Sequence, residues 1–111
     1  MAKIVVISSE LMLGTRIEAT LTASGHDVRL ANSLTESSIL DDADLVVADV
    51  GHENPEALVG LGYPVLGYYQ HTDVATREAA EAAGVDIVVP RSRLVREMPE
   101  LVEKLLAEPR Q

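Results

Sequence analysis

The stretch Asp44-Leu45-Val46-Val47-Ala48-Asp49 places four apolar residues together between two carboxylates, and the apolar character continues to Val50. An apolar run of this kind predicts a strand that is buried on both faces, as in the centre of a parallel sheet. Three more short runs favour the same interpretation, at residues 4–7, 65–69 and 87–89.

Polar and apolar residues alternate in a fifth segment, 27–31, which predicts an edge strand. Helical patterns separate the strands. Leu13, Ile17 and Leu21 form one helical stripe, and Gly25 stands where a helix C-terminal cap is expected. Further helices are indicated by start and stop signals, namely a capping box at 33–36, Asn54-Pro55, a cap at Thr72 or Asp73 before Gly84, and Pro99.

The last of these signals leaves two options. Pro99 either opens the final helix or kinks a longer helix that begins at Ser92. In both cases a strand–helix unit repeats five times, and right-handed crossovers turn such a chain into a doubly wound α/β sandwich. We therefore predict one domain, residues 1–111, with a five-stranded parallel sheet and about five helices.

The composition narrows the classes of function. The chain has 111 residues, of which 47% are hydrophobic, and this suits one packed domain. It contains no Cys, which excludes disulfides, thiolate metal sites and a cysteine nucleophile. Nine basic and 18 acidic residues give a net charge of −9, which disfavours binding to nucleic acid or to an anionic membrane. Because no apolar run is long enough for a membrane span or a signal peptide, we expect a cytoplasmic protein.

Ligand sites in doubly wound folds gather at the carboxyl ends of the strands. The first such end, Ser8-Ser9-Glu10, lacks the glycine-rich pattern of a dinucleotide site or a P-loop. Two roles stay open for its serines: binding an anion at a helix N-terminus, or helix capping. Asp49, which follows a strongly apolar strand, is either a functional carboxylate or a cap for its own loop.

Over nearly its whole length the chain resembles the receiver domain of bacterial response regulators. The resemblance lies in the strand–helix rhythm and in local phrases that are moderately specific together. Residues 44–49 are similar to the third strand of that family, whose final Asp accepts phosphate. Pro64-Val65 is similar to the opening of the fourth strand, and Gly84-Val85-Asp86 to the approach to the fifth.

The resemblance assigns family positions to residues of this chain. Asp49 stands at the phosphoacceptor position. The acidic pair that holds Mg²⁺ in the family falls on Ser8 and Ser9, so Glu10 is the only carboxylate left nearby. The position of the family's switch hydroxyl falls on Tyr69, and that of its switch aromatic residue falls on Val88. The position of the family's lysine falls on Arg91.

These departures imply a degenerate, pseudo-receiver type. Mg²⁺ would have only Asp49, Glu10 and backbone oxygen as ligands. We therefore expect no cofactor, inefficient phosphorylation and no enzymatic activity. Arg91 is expected either to form an ion pair with Asp49, which would mimic a locked state, or to stay exposed on its loop. Tyr68 and Tyr69 are expected to point to opposite faces of the sheet, one into the core and the other to the site or an interface.

We therefore predict a stand-alone receiver-like signalling module that acts by binding a protein partner or itself. Two alternatives remain: a true single-domain response regulator phosphorylated on Asp49, and a flavodoxin-like protein that binds a small anion or ligand. In the family, the fourth helix, fifth strand and fifth helix form the usual contact surface. The charged candidates on that surface here are Glu78, Glu81, Arg93, Arg96 and Lys104.

Overall fold

The computed structural model describes residues 2–31, 42–70 and 73–107. In chain order its elements are β1 (Lys3–Ile7), α1 (Leu11–Ala23), β2 (Asp27–Ala31), β3 (Leu45–Asp49), α2 (Pro55–Gly60), β4 (Val65–Tyr69), α3 (Val74–Ala83), β5 (Ile87–Pro90) and α4 (Arg91–Ala107). The five strands are parallel and lie in the order β2-β1-β3-β4-β5. The fold is the predicted doubly wound α/β sandwich, with β2 and β5 at the edges of the sheet.

Alternating side chains of the central strands build two hydrophobic cores, one on each face of the sheet. Ile4 and Val6 of β1 join the core under α1 and α4. Val5 and Ile7 join the core under α2 and α3. All four side chains are at most 1% exposed, which explains why this run of sequence contains no polar residue.

Two helices begin at residues that the sequence signals predict, and one of them, α3, also ends at the predicted residue. The side chain of Asn54 accepts the backbone N–H of Glu56 at 2.9 Å before α2. The carboxylate of Asp73 accepts the backbone N–H of Thr76 at 3.2 Å before α3. Gly84 ends α3 with a φ of 98°, a left-handed conformation that glycine adopts without a steric cost.

The last helix, α4, is kinked. Glu97 has the non-helical angles φ −120° and ψ 18°, two residues before Pro99. Pro99 has no N–H to donate and its ring crowds the preceding turn, so the regular hydrogen bonding breaks there. Of the two options for Pro99, the structure therefore shows the kink in a longer helix. That helix begins at Arg91, one residue before the expected Ser92.

The number of helices differs slightly from the prediction. The sequence predicts about five, and the described residues contain four. The helix expected from the capping box at 33–36 lies outside the described residues. Within the ranges that the structure describes, no helix combines the length and the apolar character that crossing a membrane requires.

Gly67 occupies a position in β4 where a side chain has no room. A Cβ atom there would lie 2.7 Å from Val50 Cγ1 and 3.2 Å from Val85 Cγ1. Both valines are buried, and because β-branched side chains are stiff, neither moves away easily. We expect Gly67→Ala to lower the free energy of unfolding by about 1–3 kcal/mol in a denaturant titration.

The matched control for that variant is Gly60→Ala, since nothing lies within 4 Å of a Cβ atom at that position. This control should be close to neutral. Equal losses of stability in the two variants would contradict the packing argument for Gly67.

Candidate functional site at the carboxyl edge of the sheet

Five residues at the carboxyl ends of the strands form what we call the edge site: Ser8, Glu10, Asp49, Tyr68 and Arg91. Asp49 at the end of β3 is the register partner of Tyr68 in β4. Ser8 directly follows β1, and Arg91 directly follows β5. The alternation of side chains along each strand sends those of Ser8, Asp49 and Tyr68 to the face of the sheet that α1 and α4 cover.

The hydroxyl of Ser8 is buried and fully engaged in hydrogen bonds. The residue is 7% exposed. Its oxygen accepts the hydroxyl proton of Tyr68 at 3.0 Å and the backbone N–H of Glu10 at 3.2 Å. Its own proton is positioned for the backbone carbonyl of Glu10 at 3.2 Å. One donor and two acceptor positions are all that a serine hydroxyl offers, so Ser8 ties the end of β1 to β4 and to the residue before α1.

Arg91 pairs with Glu10, so neither of the two options for this residue, an ion pair with Asp49 or an unpaired place on its loop, is found. Arg91 Nη1 donates to Glu10 Oε1 at 2.9 Å, and Nη2 contacts Oε2, which gives a two-point pairing. The side chains are 39% and 41% exposed, so the pair adds about 0–1 kcal/mol to stability. The position of this ion pair matters more than its energy. The pair connects the residue before α1 with the first residue of α4.

Asp49 is held by its own loop. Its Oδ1 accepts the backbone N–H of Gly51 at 2.9 Å. Its carbonyl oxygen accepts the N–H groups of His52 at 3.2 Å and of Glu53 at 2.9 Å. The side chain is half-buried. The loop-capping role considered for Asp49 is therefore present in the structure.

Tyr68 is the member of the edge site that sequence reasoning missed. The resemblance places the hydroxyl switch position of the family at Tyr69, and this residue lies in the core under α2 and α3. Val88 packs against that same core. As predicted, the two tyrosines point to opposite faces, yet both are buried, at 1% for Tyr68 and 6% for Tyr69. The signal that could have found Tyr68 is the register between β3 and β4, which sets it beside Asp49.

The environment of Tyr68 favours its neutral form. Burial raises the pKa of Tyr68 to about 12, and the negative charges of Asp49 and Glu10 act in the same direction. The hydrogen bond with Ser8 and the positive charge of Arg91 lower this pKa to a smaller extent. Tyr68 is therefore a hydrogen-bond donor throughout the physiological pH range.

The remaining members of the predicted site lie apart from these contacts. Ser9 is exposed beside the edge site. The weak metal candidates Asp49 and Glu10 do not come together with a third ligand, since residues 2–31, 42–70 and 73–107 contain no group of three or more side chains suited to a metal ion. The donor set that the structure offers to Mg²⁺ is thus two carboxylates, and both already accept hydrogen bonds.

Most charged candidates of the predicted contact surface are paired within the molecule. Arg93 and Arg96 both donate to Glu97, at 3.2 and 3.1 Å. The hydrogen bond from Arg96 and then that from Arg93 lower the pKa of Glu97. On α3, Arg77 pairs with Glu81 at 3.5 Å.

The remaining two candidates, Glu78 and Lys104, form no ion pair with any residue that the structure describes. The charged side chains of this surface that do form ion pairs are therefore paired within their own helix, on α3 or on α4.

The structure is similar to solved receiver domains. It matches the non-phosphorylated HemR receiver domain of Leptospira biflexa with a TM-score of 0.81 and 20% identity, over 100% of this chain and 98% of that one. It matches a putative response regulator from Chloroflexus aurantiacus with a TM-score of 0.82 and 18% identity, over 96% and 98% of the two chains. A receiver domain protein from Clostridium thermocellum gives 0.80 and 19%, over 96% and 94%.

At these identities the likeness shows the fold, and the flavodoxin-like receiver fold expected from the sequence is confirmed. No protein-family model and no curated protein matches the sequence.

The pKa of Tyr68 predicts how stability depends on alkaline pH. Because the pKa is about 12 in the folded chain against an ordinary value of 10.0, the folded state holds this proton more tightly than the unfolded state. The corresponding stabilisation is complete below about pH 10 and is lost as the pH rises towards 12.

The test compares Tyr68→Phe with the unaltered chain by denaturant titration across this range. At neutral pH the variant should be less stable by about 1 kcal/mol, because it lacks the hydrogen bond to Ser8. The difference should shrink as the pH rises above 10, since only the unaltered chain loses the contribution of this group. A difference that is the same at neutral and alkaline pH would contradict the burial of an ionisable hydroxyl at this position.

Proposed function

We propose that this chain is a receiver-like signalling module that acts through protein contacts, without efficient Mg²⁺-dependent phosphoryl transfer and without catalytic activity of its own. The observation that carries this proposal is the hydrogen bonding of Ser8. The receiver fold of the chain supports a signalling role. The contacts of the edge site support the pseudo-receiver type within that fold.

Phosphoryl transfer to a carboxylate needs a cation that neutralises the charge that develops on the phosphoryl oxygens. Mg²⁺ binds to anionic oxygens in an octahedral arrangement. Ser8 supplies a neutral hydroxyl that already has three hydrogen-bond contacts. Glu10, the nearest remaining carboxylate, pairs with Arg91. A cation at this edge would have to displace both sets of contacts.

The same contacts hold the edge site together without a ligand. Tyr68 and Ser8 connect β4 with β1, and Glu10 and Arg91 connect the start of α1 with the start of α4. We propose that these bonds fix one arrangement of the loops around Asp49, so that the chain presents a constant surface to its partner. Binding of a partner, rather than modification, would then carry the signal.

The identity of that partner stays open. A net charge of −9 supports a protein partner over nucleic acid or an anionic membrane, because both of these repel an acidic surface. The cytoplasmic location expected from the sequence stays a prediction.

One observation favours the alternative that Asp49 accepts phosphate. Asp49 stands at the end of the central strand β3 with a half-buried side chain. Only its Oδ1 has a hydrogen-bond partner among the residues that the structure describes, namely the N–H of Gly51. The other oxygen is available to attack a phosphodonor if a cation can be held nearby.

Incubation with Mg²⁺ and acetyl phosphate, followed by intact-mass spectrometry, separates the two functions. We expect no phosphorylated species from the unaltered chain, because Ser8 and Ser9 provide no carboxylate for the metal. A receiver domain with a complete acidic pair serves as the positive control. A phosphorylated species that disappears in Asp49→Asn would reject the proposal and establish the alternative.

The anion-binding alternative has its own measurement. Inorganic phosphate that binds at the turn formed by Ser8 and Ser9 would raise the melting temperature in proportion to the logarithm of its concentration. We expect no such rise beyond that caused by sulfate, since the hydroxyl of Ser8 is already engaged.

A further inference from the structure

His26 is a buried histidine that takes no part in the edge site. It lies in the loop between α1 and β2, and its side chain is 8% exposed. His52, by contrast, is exposed on the loop after β3. A buried imidazole needs a hydrogen-bond partner for each of its ring nitrogens. Both nitrogens of His26 have one, and the two partners come from different parts of the fold.

The end of α1 holds this residue in place. Gly25 adopts the left-handed conformation, with a φ of 94°. The N–H of Gly25 donates to the carbonyl of Thr22 at 3.0 Å, and the N–H of His26 donates to that of Leu21 at 3.2 Å. These two bonds form the Schellman arrangement of a helix end. Because the backbone makes both of them, the position of His26 does not depend on what its ring contacts.

The ring joins the start of the chain to the last helix. Its Nδ1 accepts the backbone N–H of Ala2 at 3.2 Å. Its Nε2 lies 3.1 Å from Oε2 of Glu103 on α4. We call the ring of His26 and these two bonds the amino-edge clasp. It lies at the end of the sheet opposite to the edge site, since Ala2 precedes β1 and Ser8 follows it.

The two partners determine which ring nitrogen carries the proton. A backbone N–H can only donate, so Nδ1 must present its lone pair to Ala2. A neutral imidazole has one N–H, which is therefore on Nε2 and donates to the carboxylate of Glu103. The amino-edge clasp is thus complete in only one tautomer of the neutral ring.

We propose that the amino-edge clasp is a pH-sensitive device that releases the start of the chain when His26 takes up a second proton. An imidazolium has no lone pair, so its Nδ1–H would face the N–H of Ala2, and that bond is lost. The bond to Glu103 persists, because Nε2 keeps its proton and the carboxylate then faces a positive charge. Protonation therefore detaches one partner of the ring and tightens the other.

Charged groups on several elements surround the ring. Glu103 on α4 and Asp44, which precedes β3, line one cavity together with the ring. Lys3 on β1 donates its backbone N–H to the carboxylate of Asp44 at 2.8 Å. Asp27 on β2 is exposed and pairs with Arg29 at 3.4 Å. The two carboxylates that line the cavity give a protonated ring its counter-charges within the folded chain.

The structural change stays local. The carbonyl of Ala2 accepts the N–H of Asp27 at 2.9 Å, and this bond does not involve the ring. The pairing of β1 with β2 begins at Lys3 and Asp27. Release therefore frees the N–H of Ala2 and opens one wall of the cavity without separating the strands. The proposal does not rest on the proposed signalling function, since no residue of the edge site takes part.

Nuclear magnetic resonance of the full chain, labelled with nitrogen-15, tests the proposal. Near neutral pH the ring nitrogens of His26 should show the Nε2–H tautomer. Histidines change charge between about pH 8 and about pH 5. Within this range, protonation of His26 should coincide with an about tenfold fall in the protection of the Ala2 amide against hydrogen exchange, corrected for its intrinsic pH dependence. The Nδ1–H tautomer, a ring that takes up no proton in this range, or unchanged protection of Ala2 would overturn the proposal.

Two variants separate the amino-edge clasp from other titrating groups. His26→Asn keeps an acceptor oxygen near the position of Nδ1 but takes up no proton, so the protection of Ala2 should no longer depend on pH. His52→Asn is the matched control, because it removes an exposed histidine from the loop after β3. It should leave the pH dependence unchanged. A dependence that persists in His26→Asn, or that disappears in His52→Asn, would assign the effect to another group and reject the proposal.

Discussion

Burial of the inner strands on both faces is the constraint on which the rest of the structure depends. Each residue of β1 from Ile4 to Ile7, and of β3 from Leu45 to Ala48, is at most 1% exposed. Strands of this kind need helices on both faces of the sheet. Polar side chains of the sheet are therefore excluded from its interior and are confined to the points where the strands end. The edge site exists because the cores leave polar groups no other place in the sheet.

Much of the fold follows from sequence because local signals agree with this constraint. The apolar runs predict the strands, Asn54 and Asp73 predict helix starts, and Gly84 predicts a helix end. The kink at Glu97 was harder to foresee, because Pro99 is compatible both with opening a helix and with bending one. Only packing decides between these, and α4 is buried on both sides of the kink, at Leu94 and at Leu101.

The edge site was predicted less completely, for a physical reason. Sequence identified Ser8, Glu10, Asp49 and Arg91 as neighbours, since all four follow strand ends. It did not identify which of them pair, because Arg91 has two carboxylates within its reach. In the structure Glu10 accepts from the guanidinium, whereas Asp49 accepts the N–H of Gly51 from its own loop. Such a choice depends on the conformation of three residues after β3, and no pattern in the sequence encodes it.

The charge balance of the edge site is set by contacts within the chain. Several carboxylates gathered at one strand edge repel each other unless a cation lies between them. The edge site, as defined from the described residues, has two carboxylates, and each has its own partner: Glu10 has the guanidinium of Arg91, and Asp49 has a backbone N–H. The two serines add hydroxyls but no charge. A cation would therefore gain less electrostatic energy here than at an edge with three unpaired carboxylates, and would first have to break contacts that the protein already makes.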